Sequence, residues 1–212
     1  LRIGPLHLIP IRGFSMSRLS PLPIDQHAGL AERFAFFEKT LGFVPNSLLT
    51  MQRKPRLVDA FIQFSAAVYD PDGEVDLGFK RLVAHVASSA AGCQYCKAHT
   101  AVSAKRHGIA AEKLEAIWNY RESEHYSEAE RIALDFALAA ASQPNDVTDE
   151  LFAELRRHWS EEAVVEMLAV IGLFGFFNRW NDSLATPLEA EPLKTAQAHL
   201  TQGGWQAGKH LS

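Results

Sequence analysis

Cysteine is almost missing from this chain, with 2 in 212 residues. Two thiols cannot make the disulfide framework of a small secreted scaffold. Surplus charge is missing too: 21 Lys and Arg face 25 Asp and Glu, for a formal net charge of -4. Nothing in that balance draws nucleic acid or an anionic membrane as partner. No uncharged apolar run reaches the roughly 18 residues of a transmembrane helix. The longest, 163–177, is interrupted by Glu166. Period-two alternation is absent, as are strict repeats and low-complexity blocks, so no sheet is expected. Residues 1–15 hold Pro5, Pro10 and Gly13, with no hydrophobic block or small-residue cleavage site. They do not read as a signal peptide. Met16 reads as the natural start, residues 1–20 as an extension, and the protein as cytoplasmic.

What is present is helical. Leu30, Phe34, Phe37 and Leu41 recur at spacings of three and four, and Gly42 ends that segment. Pro45 and Pro55 each open a further helix. Asp70-Pro71-Asp72-Gly73 is a turn. A helix over about 75–91 carries Phe79, Leu82, Val83 and Val86, and places Arg81 and His85 off that stripe. Gly92 fits the position after a helix end, and a new helix starts at Cys93 and stops near Gly108. Ser127 with Glu130 predicts a capping box, and Thr148 and Ser160 predict two further caps. The helix after Ser160, read to about Trp180, is apolar nearly all round, which predicts central burial or a subunit interface. The tail around Trp205 predicts no regular structure of its own. The expectation is an all-α helical bundle: one domain over 21–212 with an N-terminal helical arm and a redox core over about 75–182.

Both cysteines fall in one stretch, Cys93-Gln94-Tyr95-Cys96-Lys97-Ala98-His99. A thiol at a helix N-terminus meets free N–H groups and a partial positive charge, which favour thiolate. Cys96 lies one turn on, and His99 one turn beyond that, so the three share neighbouring faces. A histidine there can take the thiol proton. Thiolate attacks peroxides and disulfides, and a second thiol resolves the product into a disulfide. Zinc is a rival, with Cys93, Cys96 and His99 as ligands and His85 or His107 as a fourth. Structural zinc draws on two separated knuckles, however, and there is no second cysteine pair. A third reading is a non-catalytic oligomeric helical protein with structural cysteines. A thioredoxin fold is disfavoured, since no strand–helix–strand pattern surrounds the pair.

The run Ala91-Gly92-Cys93-Gln94-Tyr95-Cys96-Lys97-Ala98-His99-Thr100 resembles the core of the AhpD-like proteins of the carboxymuconolactone decarboxylase superfamily. More narrowly, it resembles alkylhydroperoxidase-related proteins of about this length. The segments 126–131, Asn178-Arg179-Trp180-Asn181 and Gly204-Trp205…Gly208-Lys209-His210 extend the likeness from about Pro45 to His210. The resemblance implies a thiol-dependent alkyl hydroperoxide reductase, or disulfide-cycling antioxidant enzyme, assembled as dimers, trimers or hexamers. It implies a redox-active Cys93–Cys96 disulfide, no metal, haem or other cofactor, and reduction by a dithiol or lipoyl-bearing protein. The superfamily's decarboxylases lack the cysteine pair. Cys96, beside His99, is expected to attack and Cys93 to resolve, although the helix-end argument allows the reverse. Two departures stand out. Arg81 occupies the place of the family's glutamate, and Thr100 the place of its histidine. His85 is then the candidate substitute in proton relay, and Arg81 a cation able to lower a thiol pKa. Tyr95 and Asn181 are candidate pocket residues, with Asn178 and Asp182 read beside Asn181 as a polar helix end.

Overall fold

A computed structural model describes residues 17–211. The expectations on residues 1–16, including the start at Met16, lie outside that range. Among the described residues there are ten α-helices, a few 3-10 turns and no strand, as the patterning predicts. They are α1 (Ala31–Leu41), α2 (Asn46–Met51), α3 (Pro55–Val68), α4 (Leu77–Ala90) and α5 (Gln94–Arg106). Then come α6 (Ala111–Glu115), α7 (Glu128–Ala141), α8 (Asp149–His158), α9 (Glu161–Leu184) and α10 (Ala190–His199).

Local chemistry sets these boundaries. Gly42 and Gly92 take φ of 76° and 72° at the ends of α1 and α4, where a side chain would be strained. Ser127 and Glu130 close the capping box of α7, and Thr148 and Ser160 cap α8 and α9 through Leu151 and Ala163. Each such cap stabilises its helix by about 1 kcal/mol. Helix α4 packs against α5, α7 and α9, so it is buried on nearly all sides, including His85 and Ser88. The off-stripe positions of its pattern therefore face other helices, not solvent. One apolar cluster runs from Leu30 through Leu82, Leu134 and Val170 to Trp205 and Ala207.

Two segments depart from the sequence reading. Helix α9 continues four residues past Trp180, to Leu184, and ends on Ala185 in a left-handed conformation. Beyond it, the tail contains the unforeseen helix α10 and turns at Thr201–Gly203 and Gly208–His210. The tail packs on the body: Trp205 is buried, and its Nε1 donates to the Gln94 carbonyl at 3.1 Å.

By length and composition α9 could cross a membrane, yet it packs on α3, α4, α5 and α7 in the bundle. Its Glu166 is accounted for. Lys80 on α4 has a fully buried side chain, and its Nζ lies 2.8 Å from Glu166 Oε2 and 3.1 Å from the Val68 carbonyl. Glu166 also accepts the N–H groups of Glu74 and Val75. Gly73 lets it approach, since a Cβ there would stand 2.6 Å from the carboxylate. Removing Glu166 strands a buried ammonium. Glu166→Ala is expected to lower unfolding free energy by about 3–5 kcal/mol. Arg56→Ala, at an exposed position of α3, should change it by less than about 0.5 kcal/mol. Urea denaturation of both variants checks the contrast.

Candidate functional site

The turn at Gly92 passes the chain from α4 to α5 and leaves Cys93 as the N-cap. Its Sγ accepts the Cys96 N–H at 3.4 Å. Both cysteines are unbridged and buried, at 0% and 2% exposure. Their settings differ. Cys96 lines a cavity of about 530 Å³, and Cys93 does not. Phe36, Phe37, Phe43, Phe61, Phe174 and Phe177 give that cavity an aromatic wall. Tyr69, Arg81, Tyr95, His99, Thr100 and Asn181 are among its polar lining, together with Arg106 and His107. Aromatic faces with a few convergent polar groups suit a small apolar ligand.

Asn181 reaches across from α9, with Nδ2 3.6 Å from Cys96 Sγ, so a thiolate there gains a donor. Even so, burial pushes the Cys96 thiol well above its ordinary 9.0, with the neighbouring Cys93 adding to the rise and Asn181 opposing it. A dry thiol needs its proton removed as it reacts.

His99 lines the same cavity as the Cys96 thiol and is held on three sides. Tyr95 stacks on its ring at 4.2 Å and Phe43 meets it edge-on at 5.7 Å. Its Nε2 lies 2.6 Å from Glu189 Oε2. Glu189 is the N-cap of α10, and its other oxygen accepts the Tyr95 hydroxyl at 2.8 Å and the Asn46 N–H at 2.5 Å. Burial alone would raise this carboxyl. His99 and the N–H groups of Asn46 and Glu189 itself outweigh burial and hold it below the ordinary 4.5. With Nε2 committed to Glu189, Nδ1 is the His99 atom left to exchange a proton. Tyr95, pushed up by burial and then by Glu189, stays a hydroxyl donor.

The remaining expected residues are placed as follows. His85 does not line the cavity; it is buried, and its Nδ1 lies 2.9 Å from Thr100 Oγ1. Burial lowers its pKa to about 3, so it is a neutral partner of Thr100. Arg81 does reach the cavity and lies over the Tyr69 ring, 3.3 Å from its centre. The zinc set is not gathered. His99 is held by Glu189, His85 by Thr100, and His107 Nδ1 by the Ser103 carbonyl at 2.8 Å. Sequence reasoning missed Glu189 and gave His210 no role. Glu189 lies 90 residues from His99, on a helix that was not foreseen. Its only sequence signal is an acidic residue at a helix start.

The model of the carboxymuconolactone decarboxylase family matches residues 55–139, which covers α3 to α7. Uncharacterized protein YnjA of Escherichia coli (strain K12) is 32% identical over 97 residues, 46% of this chain and 53% of that protein. The chain thus spans about half the length of this curated relative. Among solved structures, the debrominase Bmp8 is similar, in a cysteine-to-alanine variant complexed with 2,3,4-tribromopyrrole. It has a TM-score of 0.79 and 37% identity, covering 85% of this chain and 96% of that one. An uncharacterized peroxidase-related protein of the AhpD core from Ralstonia eutropha JMP134 shares the fold, with a TM-score of 0.73, 23% identity and coverage of 82% and 94%.

The Glu189 carboxyl predicts an acid limb in stability. Its folded pKa is depressed, so its contribution is full above the ordinary 4.5 and is lost as pH falls through the lower folded value. In that window Glu189→Gln should flatten the stability–pH slope by up to about 1.4 kcal/mol per pH unit. Chemical denaturation at a series of acidic pH values checks it, and an unchanged slope would contradict the assignment.

Proposed function

We propose that the chain, which matches the carboxymuconolactone decarboxylase family model over residues 55–139, is a member of that superfamily's AhpD-like group and a dithiol-dependent reductase of small apolar electrophiles. The observation that carries this reading is a cysteine of a Cys-x-x-Cys pair set into an aromatic cavity of about 530 Å³. Of the electrophiles that fit, a halogenated aromatic ring is the leading one. The wall of six phenylalanines suits a flat ring, and the similar debrominase Bmp8 is known in complex with a brominated pyrrole.

Cys96 Sγ attacks the halogen as its proton leaves toward His99, and the ring carbon takes up a proton as the carbon–halogen bond breaks. Cys93 then attacks Cys96 Sγ, the S–S bond forms, and halide departs with the electron pair. The sum is R–X plus two thiols giving R–H, a disulfide and HX, with the two electrons supplied by sulfur. A small dithiol or a lipoyl-bearing protein returns the disulfide to thiols.

Alkyl hydroperoxide is the second reading. His99 and Asn181 beside Cys96 offer hydrogen bonds to peroxide oxygens, and the same thiol pair converts ROOH to ROH and water. Arg81 adds a selection in either case. Its guanidinium has no carboxylate partner among the ion pairs of the described residues, and favours a ring bearing an anionic or acceptor edge.

Turnover with brominated pyrroles, halophenols and alkyl hydroperoxides, with dihydrolipoamide as reductant, tests the reading through halide release and peroxide loss. Cys96→Ser should lower turnover by at least roughly a hundredfold. If no electrophile is consumed, or if Cys96→Ser retains full turnover, the reading is wrong. Arg81→Met should raise KM for phenolate or carboxylate substrates by about tenfold with less effect on neutral ones. The exposed Val165 and Leu168 on α9 fit a second copy of the chain, so a homo-oligomer belongs to the same proposal. Sedimentation of Leu168→Glu beside the parent reads it as a fall in mass.

A further inference from the structure

The dithiol reading needs Cys93 to lose its proton, yet Cys93 is buried and stands off the cavity that His99 serves. On its other side is the C-terminal segment. We propose that His210 is the proton acceptor for Cys93, presented to the thiol by the tail and backed by the Asp182 carboxylate. This rests on the dithiol-reductase reading and deepens it.

The hydrogen bonds fix the tautomer. His210 Nδ1 lies 2.8 Å from the Thr186 carbonyl, which can only accept, so Nδ1 carries the proton. The Nε2 lone pair is therefore bare. The residue is 1% exposed, and Nε2 has no hydrogen-bond partner. A buried acceptor left unmatched costs about 1–3 kcal/mol, and such an atom calls for an explanation. A ring nitrogen of His210, Cys93 Sγ and an Asp182 oxygen all lie within 4.8 Å of one another. Nε2 is 3.8 Å from Asp182 Oδ1, too far for a hydrogen bond but close enough to stabilise an imidazolium.

The other groups facing the ring are Lys209, which pairs with Asp182 Oδ2 at 2.7 Å, and Tyr95, whose ring centre lies 5.9 Å away. Burial holds the His210 imidazole below its ordinary 6.5, against the pull of Thr186 and Asp182. The resting ring is thus neutral and able to accept. The backbone is anchored by Leu188 N–H donating to the His210 carbonyl at 2.9 Å. The step balances: the Cys93 S–H bond breaks, its proton passes to Nε2, and Cys93 Sγ bonds to Cys96 Sγ. The group on Cys96 departs as halide, or as water after taking up a proton. Each thiol then has its own histidine–carboxylate pair, His99–Glu189 for Cys96 and His210–Asp182 for Cys93.

The test needs no substrate. In Cys96→Ser, Cys93 is the sole thiol, and its thiolate absorbance near 240 nm is followed against pH. Adding His210→Gln should move the titration up by at least about one pH unit. Nitrogen NMR of the unsubstituted protein should show His210 protonated at Nδ1. An unmoved thiol titration in variants with native circular dichroism, or an Nε2–H tautomer, would overturn the proposal. The NMR reading stands even if a variant fails to fold. A shifted titration without turnover on any electrophile sinks the reductase reading alone, and turnover with an unmoved titration sinks the relay alone.

Discussion

The Glu189 carboxylate accepts from three donors on two other stretches of the chain: the Asn46 N–H, the Tyr95 hydroxyl and His99 Nε2. Asn46 starts α2, and Tyr95 and His99 belong to the cysteine helix α5. One buried charge therefore fixes where the tail, the N-terminal helices and the cysteine helix meet. A carboxylate this buried persists only with its acceptor sites filled, and here they are. The orientation of the His99 ring, and with it the proposed proton path from Cys96, depends on that arrangement.

The thiols themselves impose the next constraint. A peptide thiol at a helix N-terminus would be acidic, and Cys93 does cap α5. Burial changes the balance for its neighbour, since Cys96 is pushed up and not down. In the proposed reductase this keeps Cys96 neutral at rest and gives the flanking bases their role. Apolar walls raise the reactivity of any thiolate formed there, because no water competes for it.

Much of this was legible in the sequence. Gly92 before Cys93, the capping residues Ser127, Thr148 and Ser160, and the apolar stripes are local signals, and the helices follow them. The local triad Cys93, Cys96 and His99 was legible for the same reason. Glu189, Asp182 and His210 were not legible as its partners, since each arrives from 80 or more positions away in the chain. Helix α10 was hidden by Pro192 at its third residue, which reads as a breaker although the first turn tolerates it. Helical periodicity places His85 off the apolar stripe, yet it is buried and meets Thr100 of α5, because α4 packs against α5, α7 and α9.

The two departures from the family pattern acquire a common physical meaning. Thr100, where a histidine was expected, donates to the Cys96 or Lys97 carbonyl and meets a His85 held neutral by burial, so that side of the thiol carries no titrating base. Arg81, where a glutamate was expected, sets a guanidinium against the Tyr69 ring at the cavity edge. The carboxylate that pairs with His99 comes instead from the tail, as Glu189. Exchanging a carboxylate for a guanidinium reverses the sign of charge at the cavity edge while the thiols stay in place. An apolar cavity with a cation at its rim attracts ligands that a carboxylate there would repel: phenolates, aromatic carboxylates and rings with electron-rich edges. In the proposed reductase, substrate preference then turns on the charge at the cavity edge, while the fold and the cysteine pair stay the same.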